Sequence, residues 1–211
     1  VSRAHDRFAA GCVALVAALE LAFGIAPRSD RLTWSLENFP VWIGVAAWLL
    51  TRKRFQLSRL CLVLFSIHAL ILMVGGYATY ARAAPGEWLR AAFELERNPY
   101  DRIGHFAQGF VPAIFVRELL TRVARLPRTR WRPVLVVCAC LAFSAFYELI
   151  EWWAALLHGE AATDFLGTQG DVWDTQWDMF LALVGALVAL ALLGRVHDRS
   201  MEAVEPSGGR A

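Results

Sequence analysis

The sequence has four cysteines and a single lysine, Lys53, among 21 basic residues. It has neither a Gly-x-Ser-x-Gly elbow nor a His-Glu-x-x-His helix, so no familiar hydrolase motif fixes a reaction. Cys12, Cys61, Cys138 and Cys140 all fall inside apolar runs, where a thiol packs as a small hydrophobe. Cys138 and Cys140 would also lie on nearly opposite helix faces, and neither a disulfide framework nor a thiolate zinc site follows. The lysine scarcity is a compositional bias to which we attach no function. The net charge is only +2 and the basic residues are spread among short loops, which argues against nucleic acid as a partner. No internal repeat or low-complexity stretch is evident.

What the chain does have is apolar length. Of its 211 residues 57% are hydrophobic, and the mean hydropathy is +0.43. That excludes an ordinary soluble domain and suits a single multi-pass membrane domain over residues 1–200. The expected fold class is all-α, a polytopic transmembrane helix bundle. Apolar runs predict six spans at roughly 8–26, 39–55, 59–81, 103–123, 132–156 and 175–195. The first run is too long for a signal peptide and carries Glu20, so it reads as an uncleaved span. The second is the weakest, with an apolar core of about 12 residues against the roughly 20 a spanning helix needs, and Pro40 fits an early helical position there. Residues 201–211 read as a disordered tail.

Loop charge sets the expected orientation, because cytoplasmic loops carry the excess of Lys and Arg. With six spans and both termini cytoplasmic, fourteen basic residues fall on the inner side, five of them in the loop 122–132, and six on the outer side. Asp164, Asp171, Asp174 and Asp178 then lie at the outer end of the last span. The charged loop 83–102, read as partly helical, lies on the same side. Arg117 and Glu118 pair or snorkel near the inner face. Trp34, Trp88, Trp152, Trp153, Trp173 and Trp177 form an outer aromatic belt.

Polar residues far apart in sequence converge at one depth in this topology. At about 1.5 Å per residue, His105 and Asp178 lie within a turn of the outer helix ends, while Glu148 and Glu151 lie about 8 to 12 Å inside. Asp101, His105, Gln108 and Gly109 share one helix face, as do Ser144, Glu148, Glu151 and Trp152. An early start to the last span puts Asp171, Asp174, Asp178 and Gly185 on a third, with Trp173 and Trp177 opposite. Glu20 reaches a similar depth. His68, by contrast, reads as packing.

Acids this close repel and need compensation. The candidates are a divalent cation, shared protons, Arg97 or Arg102, or helix amino-terminal dipoles. An oxygen-rich set with one histidine suits magnesium, manganese or calcium better than zinc. We therefore take His105, Glu148 and Glu151 as candidate catalytic groups, and Arg102, Gln108, Gln169 and Trp152 as candidate substrate contacts. Asp171, Asp174, Asp178 and Glu148 are the candidate metal ligands. For Asp171 and Asp174, capping of the last span is the plain alternative.

The strings Tyr100-Asp-Arg-Ile-Gly-His-Phe-Ala-Gln-Gly-Phe-Val-Pro112, Ser144-Ala-Phe-Tyr-Glu-Leu-Ile-Glu-Trp-Trp153 and the segment from Asp164 to Asp178 resemble the bacterial inner-membrane family typified by YjdF. The resemblance covers most of the chain and implies a multi-pass protein of the inner (cytoplasmic) membrane. More distantly, Asp101-x3-His105, Glu148, and Asp174-x3-Asp178 with Gly185 are similar to the VanZ-like membrane proteins, some linked to glycopeptide resistance. That pattern commonly has Gln after its Glu and Asn near the last acid, where this chain has Glu151 and Asp178. Neither resemblance carries a reaction. Three functions stay open: a divalent-metal-dependent enzyme acting on a lipid-linked or envelope substrate, a cation- or proton-coupled carrier, and a non-catalytic module that binds an envelope ligand.

Overall fold

The computed structural model describes residues 3–158 and 168–204. Asp164, within the acidic segment, and most of the expected tail lie outside them. Every regular element among the described residues is helical: α1 (Arg3–Gly24), α2 (Arg31–Thr51), α3 (Arg59–Ala78), a 3-10 turn (Tyr80–Arg82), α4 (Ala84–Ala92), α5 (Tyr100–Glu118) with a π turn (Leu119–Val123), α6 (Trp131–His158) and α7 (Asp174–Glu202).

Four of these, α1, α3, α6 and α7, are long and apolar enough to cross a membrane. The other two expected spans are helices as well, but they carry more polar residues. Charges crowd both ends of α5, at Asp101, Arg102, Arg117 and Glu118, and α2 buries Glu37 and Asn38. Polar groups at such positions face protein rather than lipid. The result is an integral membrane bundle in which α1 and α2 pack on α3, α3 on α5, and α5 on α6 and α7.

Helix α2 begins well before the expected residue 39 because Asp30 caps it. Its Oδ1 accepts the backbone N–H groups of Leu32 and Thr33 at 2.8 and 3.0 Å, and its Oδ2 accepts the Thr33 hydroxyl at 2.6 Å. The cap satisfies amino-terminal donors that would otherwise be orphaned. Pro40 therefore sits in the helix interior rather than at its start, and its missing N–H breaks one bond of the ladder. Trp34 also departs from the sequence reading. It is 5% exposed, packed with Val16, Val41, Ala69 and Met73, and so belongs to the core rather than the aromatic belt. Trp88, Trp152, Trp153, Trp173 and Trp177 are exposed. At the other end of the chain, α7 continues to Glu202 with Met201 and Val204 buried, so an ordered, packed segment occupies the start of the expected tail.

The most extensive helix contact is α5 on α7. Two glycines allow it. A Cβ at Gly109 would lie 1.8 Å from the Ala182 carbonyl oxygen, and one at Gly185 would lie 2.1 Å from that of Phe106. Small residues let helix backbones touch, and in lipid such van der Waals contact replaces the hydrophobic drive available in water. Ala182, Ala186 and Ala189 extend the seam, with Ala186 and Ala189 joining Val111, Ala113 and Ile114 in one core. Replacing Gly185 with valine must push backbone away from backbone. The expected cost is about 3 kcal/mol or more, above ordinary overpacking, read as a fall in thermal midpoint in detergent. Gly11→Ala, where nothing lies within 4 Å, should be neutral or slightly stabilising.

Candidate functional site

The α5–α7 seam brings the amino-terminal turns of both helices together. His105 lies one turn after Asp101 on α5. Its Nε2 is 3.5 Å from Asp101 Oδ1 and 3.7 Å from Asp178 Oδ2, the latter one turn into α7. Its Nδ1 is 2.8 Å from Gln108 Oε1. A carboxamide oxygen can only accept, so Nδ1 carries the proton in this bond and Nε2 faces the two carboxylates. Helix α6 adds Glu148 and Glu151. Asp101, His105 and Asp178 place one ligand atom each within 4.8 Å of one another, and so do His105, Glu148 and Glu151. Both sets share His105. Asp178 Oδ1 and Glu148 Oε1 are buried without a hydrogen-bond partner.

The remaining two candidate metal ligands point elsewhere. Arg97 donates to Asp174 at 2.6 Å and to Asp171 at 3.3 Å, and lies 3.5 Å from Asp101. Arg102 donates to Asp171 at 3.0 Å while covering the Trp177 ring at 5.2 Å. Two arginines thus neutralise the acids at the end of the bundle, above the histidine. The Asp171 carboxyl also accepts the Trp173 N–H at 2.9 Å. That bond, with Arg97 and Arg102 behind it, holds Asp171 below the ordinary carboxylate range.

Of the candidate substrate contacts, Gln108 orients His105 and Arg102 pairs with Asp171. Gln169, at φ 49°, has its amide engaged by Asn98, accepting from the Asn98 N–H and donating to its carbonyl oxygen, each at 3.0 Å. It acts as a clamp between the two loops. Trp152 is exposed. Glu20 instead accepts the Trp42 indole N–H at 2.6 Å.

A cavity of about 330 Å³ opens beside His105, lined among others by Glu37, Tyr80, Asp101, Gln108, Tyr147 and Glu151. Sequence reasoning missed Glu37, which is buried on α2 and accepts from Tyr147 Oη at 3.4 Å. The available signal was an acid two residues before the apolar run that begins at Phe39. His68 lines this cavity as well, with Nε2 buried and unpaired.

A second polar knot lies at the opposite end of α5. Glu118 is fully buried; it accepts the Ser58 N–H at 2.8 Å, the Cys61 thiol at 3.0 Å and Arg122, and its Oε2 lies 2.9 Å from His197 Nε2. Arg117 bonds His197 Nδ1 at 2.9 Å and Asp198 at 2.6 Å. Cys61 is therefore a hydrogen-bond donor in a polar network and not merely a small hydrophobe. The network joins α3, α5 and α7 and engages both Glu118 oxygens, as a structural tie requires.

Comparison with known proteins assigns the chain. A family model described as a predicted membrane protein (DUF2238) matches residues 8–199. The chain belongs to this DUF2238 family. It is 49% identical over 188 residues to the inner membrane protein YjdF of Escherichia coli (strain K12), covering 89% of this chain and 90% of that protein. No solved structure matches. Family membership and the apolar helices together make this DUF2238 protein a multi-pass protein of the inner membrane.

Two outcomes follow for this member of the family. Because the Asp171 folded-state value is depressed, its bonds contribute fully above the unfolded-chain value and fade as pH falls through the folded one. A carboxyl carbon-13 titration should give a midpoint below the ordinary aspartate value. Arg102→Gln should raise it only partway, since the Trp173 N–H remains. At the other end, Glu118→Leu removes the buried acceptor shared by Ser58, Cys61, Arg122 and His197 and should cost about 3 to 5 kcal/mol in a denaturation assay.

Proposed function

We propose that this protein crosses the inner membrane six times with both termini cytoplasmic. In this reading Asp101, His105 and Asp178 bind a divalent cation at the outer face. The cation serves an enzyme that acts by hydrolysis or group transfer on a lipid-linked or envelope substrate. The observation carrying the reading is the pair of buried, unpartnered oxygens, Asp178 Oδ1 and Glu148 Oε1, beside a histidine flanked by carboxylates. Orphaned acceptors in a protein interior are costly, and a cation satisfies them. The Gln108 bond to His105 Nδ1 adds support, because a metal-bound imidazole usually donates its other N–H to an oxygen that fixes the tautomer. Oxygen-rich ligation favours magnesium, manganese or calcium.

Within this proposal the sequence-derived ligand set narrows. Asp178 remains, Asp101 and His105 join it, Glu148 lies beside the site with Glu151, and Asp171 and Asp174 hold Arg97 and Arg102 in place. Glu151 and Glu148 are placed to exchange protons with a substrate, and the cation would polarise a phosphoryl or carbonyl oxygen. The second reading, a non-catalytic ligand-binding module, draws on the arginine neutralisation, which leaves less charge for a metal to balance.

Manganese binding tests the proposal. Purified protein should take up about one Mn(II), seen by electron paramagnetic resonance, and melt at higher temperature in its presence, with about 2.7 kcal/mol of stabilisation expected at a hundredfold excess over Kd. Asp178→Asn and His105→Ala should lose at least tenfold in affinity, and Asp171→Asn little. Unchanged melting with every divalent ion in folded wild-type protein would overturn the metal reading.

A further inference from the structure

The cavity beside His105 is graded in polarity along the bundle. Its depth can be read from the helix ends nearest Arg97, at about 1.5 Å per residue. Asp101, His105, Glu37 and Glu151 line it within about 10 Å of those ends; Pro112, Ile43, Phe143 and Phe146 line it at about 18 to 22 Å. His68 falls between, at about 15 Å. The deep part lies between α2 and α6, and its rim is open, with Ile43, Phe143 and Phe146 exposed by 59, 57 and 52%. At that depth the surroundings of an apolar helix are hydrocarbon. Towards the loops, the Arg97 ion pairs and the Asn98–Gln169 clamp lie over the acids.

We infer that this cavity is a lateral slot, reached from the bilayer between α2 and α6, that takes one hydrocarbon chain of an outer-leaflet amphiphile whose head donates hydrogen bonds. The inference rests on the outer-face orientation proposed above and deepens that reading by naming the route and the substrate class. An outer-leaflet lipid has the same gradient in the same direction, polar at the outer end and apolar within. Glu37, Asp101 and Glu151 offer acceptors, so the complementary head is an ammonium or a hydroxyl group. His68 Nε2, buried and unpaired along the apolar stretch, is placed to bond an oxygen at the junction of head and chain. The volume, about 330 Å³, is at the small end of ligand sites, which accommodates a chain and part of a head rather than a whole diacyl lipid.

Photolabelling in nanodiscs tests the slot. The full chain is irradiated with a phosphatidylethanolamine carrying a diazirine in one acyl chain and, separately, with a diazirine-bearing long-chain alcohol. Label is then mapped by peptide mass spectrometry. We expect at least fivefold more label on the segments around Ile43 and Phe143 to Phe146 than around Leu187, an exposed residue of α7. Label with the amine probe alone, or the alcohol alone, identifies which donor the head supplies. Ile43→Trp together with Phe146→Trp should reduce slot labelling to the Leu187 level while manganese binding is retained; Leu187→Trp should change neither. Uniform labelling of wild-type protein, or labelling that survives the filled slot in folded variant, overturns the inference. Slot labelling without manganese binding would sink the metal reading alone, and manganese binding with uniform labelling would sink the slot alone.

Discussion

The contact on which the arrangement depends is backbone against backbone, α5 on α7 at Gly109 and Gly185. Helices separated by ordinary side chains run about 8 to 10 Å apart, and glycine permits less. That approach carries Asp178 to His105 at one end of the seam and His197 to Glu118 at the other. Both polar clusters are consequences of the same apolar contact. The charged residues at the ends of α5 find protein partners because α7 lies against it.

The two clusters differ in how completely their polar groups are satisfied. At the Glu118 end, both carboxylate oxygens are engaged, Arg122 pairs with Glu118, and Arg117 bonds His197 and Asp198. At the His105 end, the arginines serve the outermost acids, Asp171 and Asp174, and leave unpaired oxygens one layer deeper. Burial without partners is tolerated where something else pays the desolvation cost, and this contrast separates a structural tie from a candidate site.

Much of the site was legible in the sequence. Steps of three and four along α5, α6 and α7 put Asp101, His105, Gln108, Glu148, Asp174 and Asp178 on inward faces, since a helix in lipid cannot turn acids outward. Glu37 and Trp34 were not legible in this way. Both precede the apolar run that begins at residue 39, and they are helical because the Asp30 cap starts α2 at Arg31. The roles of Asp171 and Asp174 stayed open between metal, arginine and cap, because periodicity gives the direction of a carboxylate and says nothing of which cation meets it. Arg97 comes from a loop whose path depends on Asn98, which bonds Ala83, Glu87 and Gln169.

The sequence alone determined the membrane environment, the helical class and the faces that must be buried. Those follow from apolar length and 3.6-residue periodicity, properties of one helix at a time. Only the tertiary structure decided which acids are neutralised and which stay unpaired, that Cys61 belongs to a polar knot, and that an apolar slot leads from α2 and α6 to His105. Each of these depends on distances of 3 to 4 Å between residues far apart in the chain, which are set by helix packing.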